Sequence, residues 1–194
     1  MKKTSKCGLM IVAILSLCSC GKGTKTTEEN FLERVNAIER NDEYTEADIV
    51  FYSSSSIKEA GKEKTEEDNR YTASFVKNEG QWIRDRRVYN DKKATEFFTD
   101  CVINSSPAQF VNEDINLFVY DRNDIKYYVD PYGVEYEYEH ETNFFSLKYV
   151  SSFYMYYEWD QYGYITTVRT KSEEKNDTGE YHLLFTSNIK ITYK

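Results

Sequence analysis

Glutamates alternate at positions 135, 137, 139 and 141, with Tyr136, Tyr138 and His140 between them, in the segment of this sequence best furnished for chemistry. On a strand, alternation puts the four carboxylates on one face and the two tyrosines with the histidine on the other. Such a row invites a divalent-metal reading. Same-face neighbours on a strand are ~6.5 to 7 Å apart, however, whereas calcium takes oxygens within about 2.6 Å, so other segments would have to complete the shell. The simpler expectation is a solvated acidic face, paired across strands with Arg84, Arg86 or Lys148 and holding no metal.

Histidine occurs only at His140 and His182. A Ser-His-Asp or Cys-His group would have to be assembled in space from distant segments, and no G-x-S-x-G, H-E-x-x-H or C-x-x-C motif supports one. Gly61-Lys62 is not a phosphate loop, because no glycine precedes it at the required spacing and Glu63 follows where Ser or Thr belongs. The expectation is a protein with no catalytic residues and no cofactor. A hydrolase built on His140 or His182 with nearby carboxylates is the enzymatic alternative.

The N-terminus carries the parts of an export signal: Lys2, Lys3 and Lys6, an apolar run from Cys7 to Leu17, and a small residue before a cysteine. The apolar run is about eleven residues, too short for the roughly 20 that a spanning helix needs. Leu17-Cys18-Ser19-Cys20 resembles the lipobox of bacterial lipoproteins, with Cys18 in place of the more usual Ala, Ser or Thr. The resemblance implies a diacylglyceryl group on the Cys20 sulfur, cleavage before Cys20 and anchoring on the extracytoplasmic face of a bacterial cell membrane or envelope. No A-x-A-like site follows the apolar run. The expected division is a signal peptide over 1–19, a lipidated polar tether over 20–26 and a single domain over 27–194.

Removing residues 1–19 takes away three lysines and no acids, so the formal charge moves from −8 to −11. A domain this acidic is a poor partner for nucleic acid and gains nothing from anionic lipid. With Cys7 and Cys18 discarded and Cys20 lipidated, only Cys101 remains, which excludes an intrachain disulfide. Cys101 reads as a small buried apolar residue on a helix rather than as a nucleophile.

Those residues need elements to hold them. Thr26 and Glu29 form a capping box ahead of Phe31, Val35 and Ile38, which predicts an amphipathic helix over about 27–39. From Glu46 onward β-branched and aromatic residues predict strands at Ile49 to Tyr52, Tyr71 to Val76 and Trp82 to Tyr89, with the charged stretch Ile57 to Arg70 as a solvated hairpin loop. Asp91 caps a helix carrying Ala94, Phe97, Phe98, Cys101 and Val102, and Ser106-Pro107 opens a second one. Asp130-Pro131-Tyr132-Gly133 and Asp160-Gln161-Tyr162-Gly163 read as one turn used twice, with Gly supplying positive φ. Asn78-Glu79-Gly80 and Asp177-Thr178-Gly179 are further hairpin signals. The fold class expected is α+β: a curved antiparallel sheet or half-barrel meander with an N-terminal helix and one or two short helices mid-chain.

The sequence holds 18 Tyr, 11 Phe and 2 Trp, concentrated at Tyr127-Tyr128 and along Phe153 to Trp159. There Phe153, Met155, Tyr157 and Trp159 share one strand face, apolar enough to line a core or a ligand cavity. The first helix, the hairpin Trp159 to Ile165 and the closing run Leu183 to Ile191 give an order of elements similar to lipoprotein-carrier folds of the LolA and LppX type. That resemblance is one of architecture. It implies an unclosed barrel with an apolar hollow roofed by helices, and a lipid-like or amphiphilic ligand against Phe153, Met155, Tyr157 and Trp159. The chain departs from those families in being poor in Leu and Val and rich in Tyr, which suits an amphiphile, sugar or peptide better than an acyl chain. The alternative is an interaction module binding another envelope or host protein.

Overall fold

The structure, a computed structural model, describes residues 23–41, 43–89, 100–118, 124–144 and 146–194. The signal segment, Cys20 and the Asp91 cap lie outside these residues. Among the described residues nine strands form one open sheet, every neighbouring pair antiparallel. In chain order they are β1 (Thr24–Thr26), β2 (Glu46–Lys58), β3 (Thr65–Asn78), β4 (Gln81–Tyr89), β5 (Ile125–Val129), β6 (Gly133–Phe144), β7 (Leu147–Trp159), β8 (Ile165–Asn176) and β9 (His182–Tyr193). Helix α1 (Glu28–Asn36) follows β1, and helix α2 (Pro107–Phe118) precedes β5.

Across the sheet the order is β1-β5-β6-β7-β8-β9-β2-β3-β4. The N-terminal hairpins thus add to the last strand, so the chain must cross the sheet twice. It goes from β1 at one edge to β2 by way of α1, and from β4 at the other edge back to β5 by way of residues 100–118. Both helices make their crossing on the same face and touch each other, so one face of the sheet is roofed. Phe31 of α1 packs on Tyr127, ring centroids 4.8 Å apart, and Phe110 of α2 packs on Tyr157 at 5.7 Å. Alternation then sends Val134, Tyr136, Met155, Tyr157, Val168, Ile189, Ile49, Phe51 and Tyr71 into the core under the helices.

Several local expectations change. The N-cap of α1 is Thr27 rather than Thr26: its hydroxyl accepts from the Asn30 amide at 3.3 Å, and the helix closes at Asn36, leaving Ile38 beyond it. Thr24–Thr26 is not free tether but edge strand, in register with Val129 to Tyr127. The stretch 57–70 is largely strand, because β2 and β3 pair as far as Ile57 with Thr65. Its polar composition reflects solvent on both faces beyond the reach of the helices, not the lack of a ladder. Ser106 caps α2 as expected, accepting from the Gln109 amide at 3.2 Å.

The two Asp-started turns share their cap and differ in their glycine. Asp130 Oδ1 accepts from the Tyr132 amide at 2.8 Å, and Asp160 Oδ1 from the Tyr162 amide at 2.9 Å. Gly163 has φ +77°, the left-handed region that favours glycine. Gly133 needs no positive φ. It is glycine for room, since a Cβ there would stand 2.3 Å from the Tyr157 carbonyl oxygen.

Candidate functional site

Met155 and Tyr157 are each 1% exposed and belong to the core between sheet and helices. Phe153 and Trp159, at the two ends of the same strand face, are partly buried against that core. Met155 and Tyr157 therefore pack beneath the helices, with Phe110 of α2 against Tyr157, whereas Phe153 also lines an open groove.

Organised polar chemistry lies on the opposite face, which is helix-free among the described residues. Register places Tyr128, Glu135, Tyr156, Arg169 and Asn188 in one row across β5 to β9, and Lys126, Glu137, Tyr154 and Lys171 in the next. Glu135, expected in solvent, is only 7% exposed. Its Oε2 accepts from the Tyr154 hydroxyl at 2.9 Å and its Oε1 from the Gly23 amide at 3.2 Å. Burial, then the charge of Glu135 and the hydrogen bond to it, push the Tyr154 phenol far above its ordinary pKa. It stays a neutral donor. Tyr128 donates to Glu137 at 3.3 Å, and the Arg169 guanidinium lies 5.2 Å from the Tyr156 ring centroid.

Along this face carboxylates run down β6, β8 carries Arg169, Lys171 and Glu173, the last two paired at 3.4 Å, and Tyr154 and Tyr156 of β7 stand between. Beside them an open groove of about 340 Å³ is lined by Lys126, Glu137, Glu139, Ser152, Tyr154 and Lys171, together with Asp124, Tyr138 and Phe153. A second depression of about 410 Å³ at the β1–β5 edge shares Asp124, Lys126 and Glu139 with it. Both depressions present cations and carboxylates side by side, which suits a polar ligand or a peptide surface.

The other candidates separate. His140 stacks on Tyr138, ring centroids 6.1 Å apart, on the roofed face of β6. His182 pairs with Glu173 at 2.9 Å on the helix-free face of β9. Two strands and a change of face divide them, so they form no common site. Burial pushes the Cys101 thiol up, helped by Glu113 and Asp100, which is the opposite of an activated thiolate. Of the expected cross-strand partners, Lys148 pairs with Glu141 at 2.6 Å, whereas Arg84 turns to Asp100 at 2.6 Å. Among the described residues no group of His, Cys, Asp and Glu is placed to hold a metal ion.

The chain matches no protein-family model and no curated protein sequence. The site therefore has to be read from its own residues. Tyr154, Tyr156 and Arg169 carry no local sequence signal of a site, because a mixed strand shows its apolar side most clearly. The period-2 pattern of 153–159 already set Tyr154 and Tyr156 apart from that side, and only the register puts Glu135 and Arg169 next to them.

Proposed function

We propose that this protein is a lipid-anchored, extracytoplasmic binding module without catalytic activity, whose recognition surface is the helix-free face of its sheet. The reading of Cys20 as the lipidated residue comes from Leu17 to Cys20 and places the domain beside a bacterial membrane. No described helix is long and apolar enough to cross a membrane. The sheet is taken to curve around its helices as a half-barrel, in line with the twist that every multistranded sheet carries.

One arrangement carries the recognition role: the Tyr154–Glu135 hydrogen bond, the Tyr128–Glu137 pair and the Arg169–Tyr156 stack fix the half-buried Tyr154, Tyr128 and Arg169 on a face that no described helix covers, each against a partner of that same face. Pre-ordered tyrosine and arginine lower the entropy cost of binding and are enriched where proteins meet partners. A polar partner, protein or peptide, fits this lining. The rival reading, a carrier of acyl chains on the apolar face, would require Phe110 of α2 to leave Tyr157 and the buried Met155 to become accessible.

A photo-crosslinking residue placed at Tyr154 in the membrane-bound protein tests the reading. A discrete adduct is expected that disappears when Arg169→Glu is added, with none from the same probe at Glu29 on α1. Adducts from Glu29 alone, or from neither position, would overturn it. Lipidation is tested separately by mass measurement of the N-terminal peptide, with Cys20→Ser abolishing the added mass.

A further inference from the structure

Covalent reach decides which end of the sheet meets the bilayer. β1 begins at Thr24 beside Val129, and Gly23 lies so near that strand that a Cβ would stand 2.6 Å from the Val129 carbonyl oxygen. Val129 ends β5, immediately before the turn Asp130-Pro131-Tyr132 that leads into β6. Cys20 is three residues before Gly23, a reach of at most ~11 Å at 3.6 Å per residue. A lipid on Cys20 therefore holds this end of the sheet against the headgroups, whatever path residues 20–22 take. The opposite end, where Phe144 pairs with Leu147, is eleven residues along β6 from Gly133, ~36 Å away.

The near end carries side chains suited to a membrane interface. Tyr132, at the tip of its turn, is 70% exposed, more than any other exposed large hydrophobic side chain described. Behind it the Trp159 amide donates to the Tyr132 carbonyl at 3.2 Å. Arg34 donates to the Pro131 carbonyl at 2.9 Å, with its guanidinium 5.5 Å from the Trp159 ring centroid. The acids of the two neighbouring turns, Asp130 and Asp160, are engaged by backbone amides of their own turns.

We infer that this end of the sheet is a membrane-contacting edge, with Tyr132 entering the headgroup layer and Trp159 and Arg34 behind it at the level of the lipid phosphates. The inference rests on lipidation of Cys20 as proposed above and adds an orientation to it. Tyrosine and tryptophan favour the interface because one end of the ring is apolar and the other polar, and arginine lays its stem on apolar surface while its head stays wet. A domain of this negative charge draws nothing from anionic lipid, and one tyrosine does not hold a protein on a bilayer. The contact therefore depends on the anchor and fixes how the domain stands: the sheet on end, with the hairpins at 59–64 and 177–181 farthest from the membrane.

Hydrogen exchange of the lipidated full chain on vesicles of phosphatidylethanolamine and phosphatidylglycerol, compared with the Cys20→Ser chain in solution, tests this. The amides of Tyr132 and of residues 161–163 should slow about tenfold, the factor that corresponds to about 1.4 kcal/mol of docking. Those at 59–64 and 177–181 should not change, and lipidated Tyr132→Ser should lose the slowing at its own turn. Equal exchange at both ends, or slowing only at the far hairpins, would overturn the inference. The mass of the N-terminal peptide separates the two claims. Unmodified Cys20 removes the lipidation reading and this orientation together, whereas modified Cys20 with unslowed turns removes the orientation alone.

Discussion

The side chain of Asn104 closes both backbone groups of Trp82 on the edge strand β4: Oδ1 accepts from the Trp82 amide at 3.0 Å, and Nδ2 donates to the Trp82 carbonyl at 3.3 Å. A single amide thus takes the place of a tenth strand at that residue, where an open ladder would recruit another chain. Asn104→Ala should cost about 1 kcal/mol for the part-buried hydrogen bonds lost, read by urea denaturation. Light scattering should also rise more steeply with protein concentration than for the parent.

Core and ligand-lining readings of Met155 predict different outcomes. As a core residue 1% exposed, Met155→Ala should lose about 2–5 kcal/mol of stability and leave the Tyr154 crosslink intact in the folded fraction. A binding defect at unchanged stability would return Met155 to a ligand site.

The link between Tyr154 and Glu135 also fastens the sheet edge, because the same carboxylate accepts from Gly23 just before β1. Tyr154→Phe removes a hydrogen bond to a charged group, about 1.5–3 kcal/mol. Amide exchange at Thr24–Thr26 should accelerate while exchange in β8 and β9 stays as it was.

Alkali should destabilise the domain through Tyr44. Burial first, then its 2.8 Å hydrogen bond to Asp160, raise its pKa from 10.0 to about 12. A group whose folded pKa is raised contributes stability that is complete below its unfolded value and is lost as pH climbs through the folded one. Melting temperature should fall between pH 10 and about 12, and Tyr44→Phe should be less stable at neutral pH with a shallower fall across that window.

Glycines at the two related turns should respond differently from the glycine of the far hairpin. Gly133→Ala places a methyl 2.3 Å from the Tyr157 carbonyl oxygen, and Gly163→Ala adds a 2.3 Å approach to the Glu39 carbonyl oxygen to its φ of +77°. Gly179 has φ +70° and nothing within 4 Å, so Gly179→Ala should cost only the left-handed backbone, about 1–2 kcal/mol. Thermal denaturation should rank Gly179→Ala as the mildest of the three.

The sequence alone determined what depends on neighbours along the chain. The Asp and Gly turn residues located hairpins, the i, i+4 spacing of Phe31 and Val35 located α1, Ser106-Pro107 opened α2, and strict alternation told Met155 and Tyr157 from Tyr154 and Tyr156. The proposal of a lipid on Cys20 rests on Leu17 to Cys20, and the fold adds to it only the reach from Gly23. Where hydrophobic alternation fades, as from Ser53 to Arg70, strand could not be told from loop, because a ladder between two polar faces leaves no periodic mark. The tertiary structure decided the pairing of β9 with β2, the two crossings that roof one face, the burial of Glu135 and the line-up of Glu135, Tyr156 and Arg169. Each of these joins residues distant in sequence. Their contacts follow from strand order and register, which local spacing does not encode.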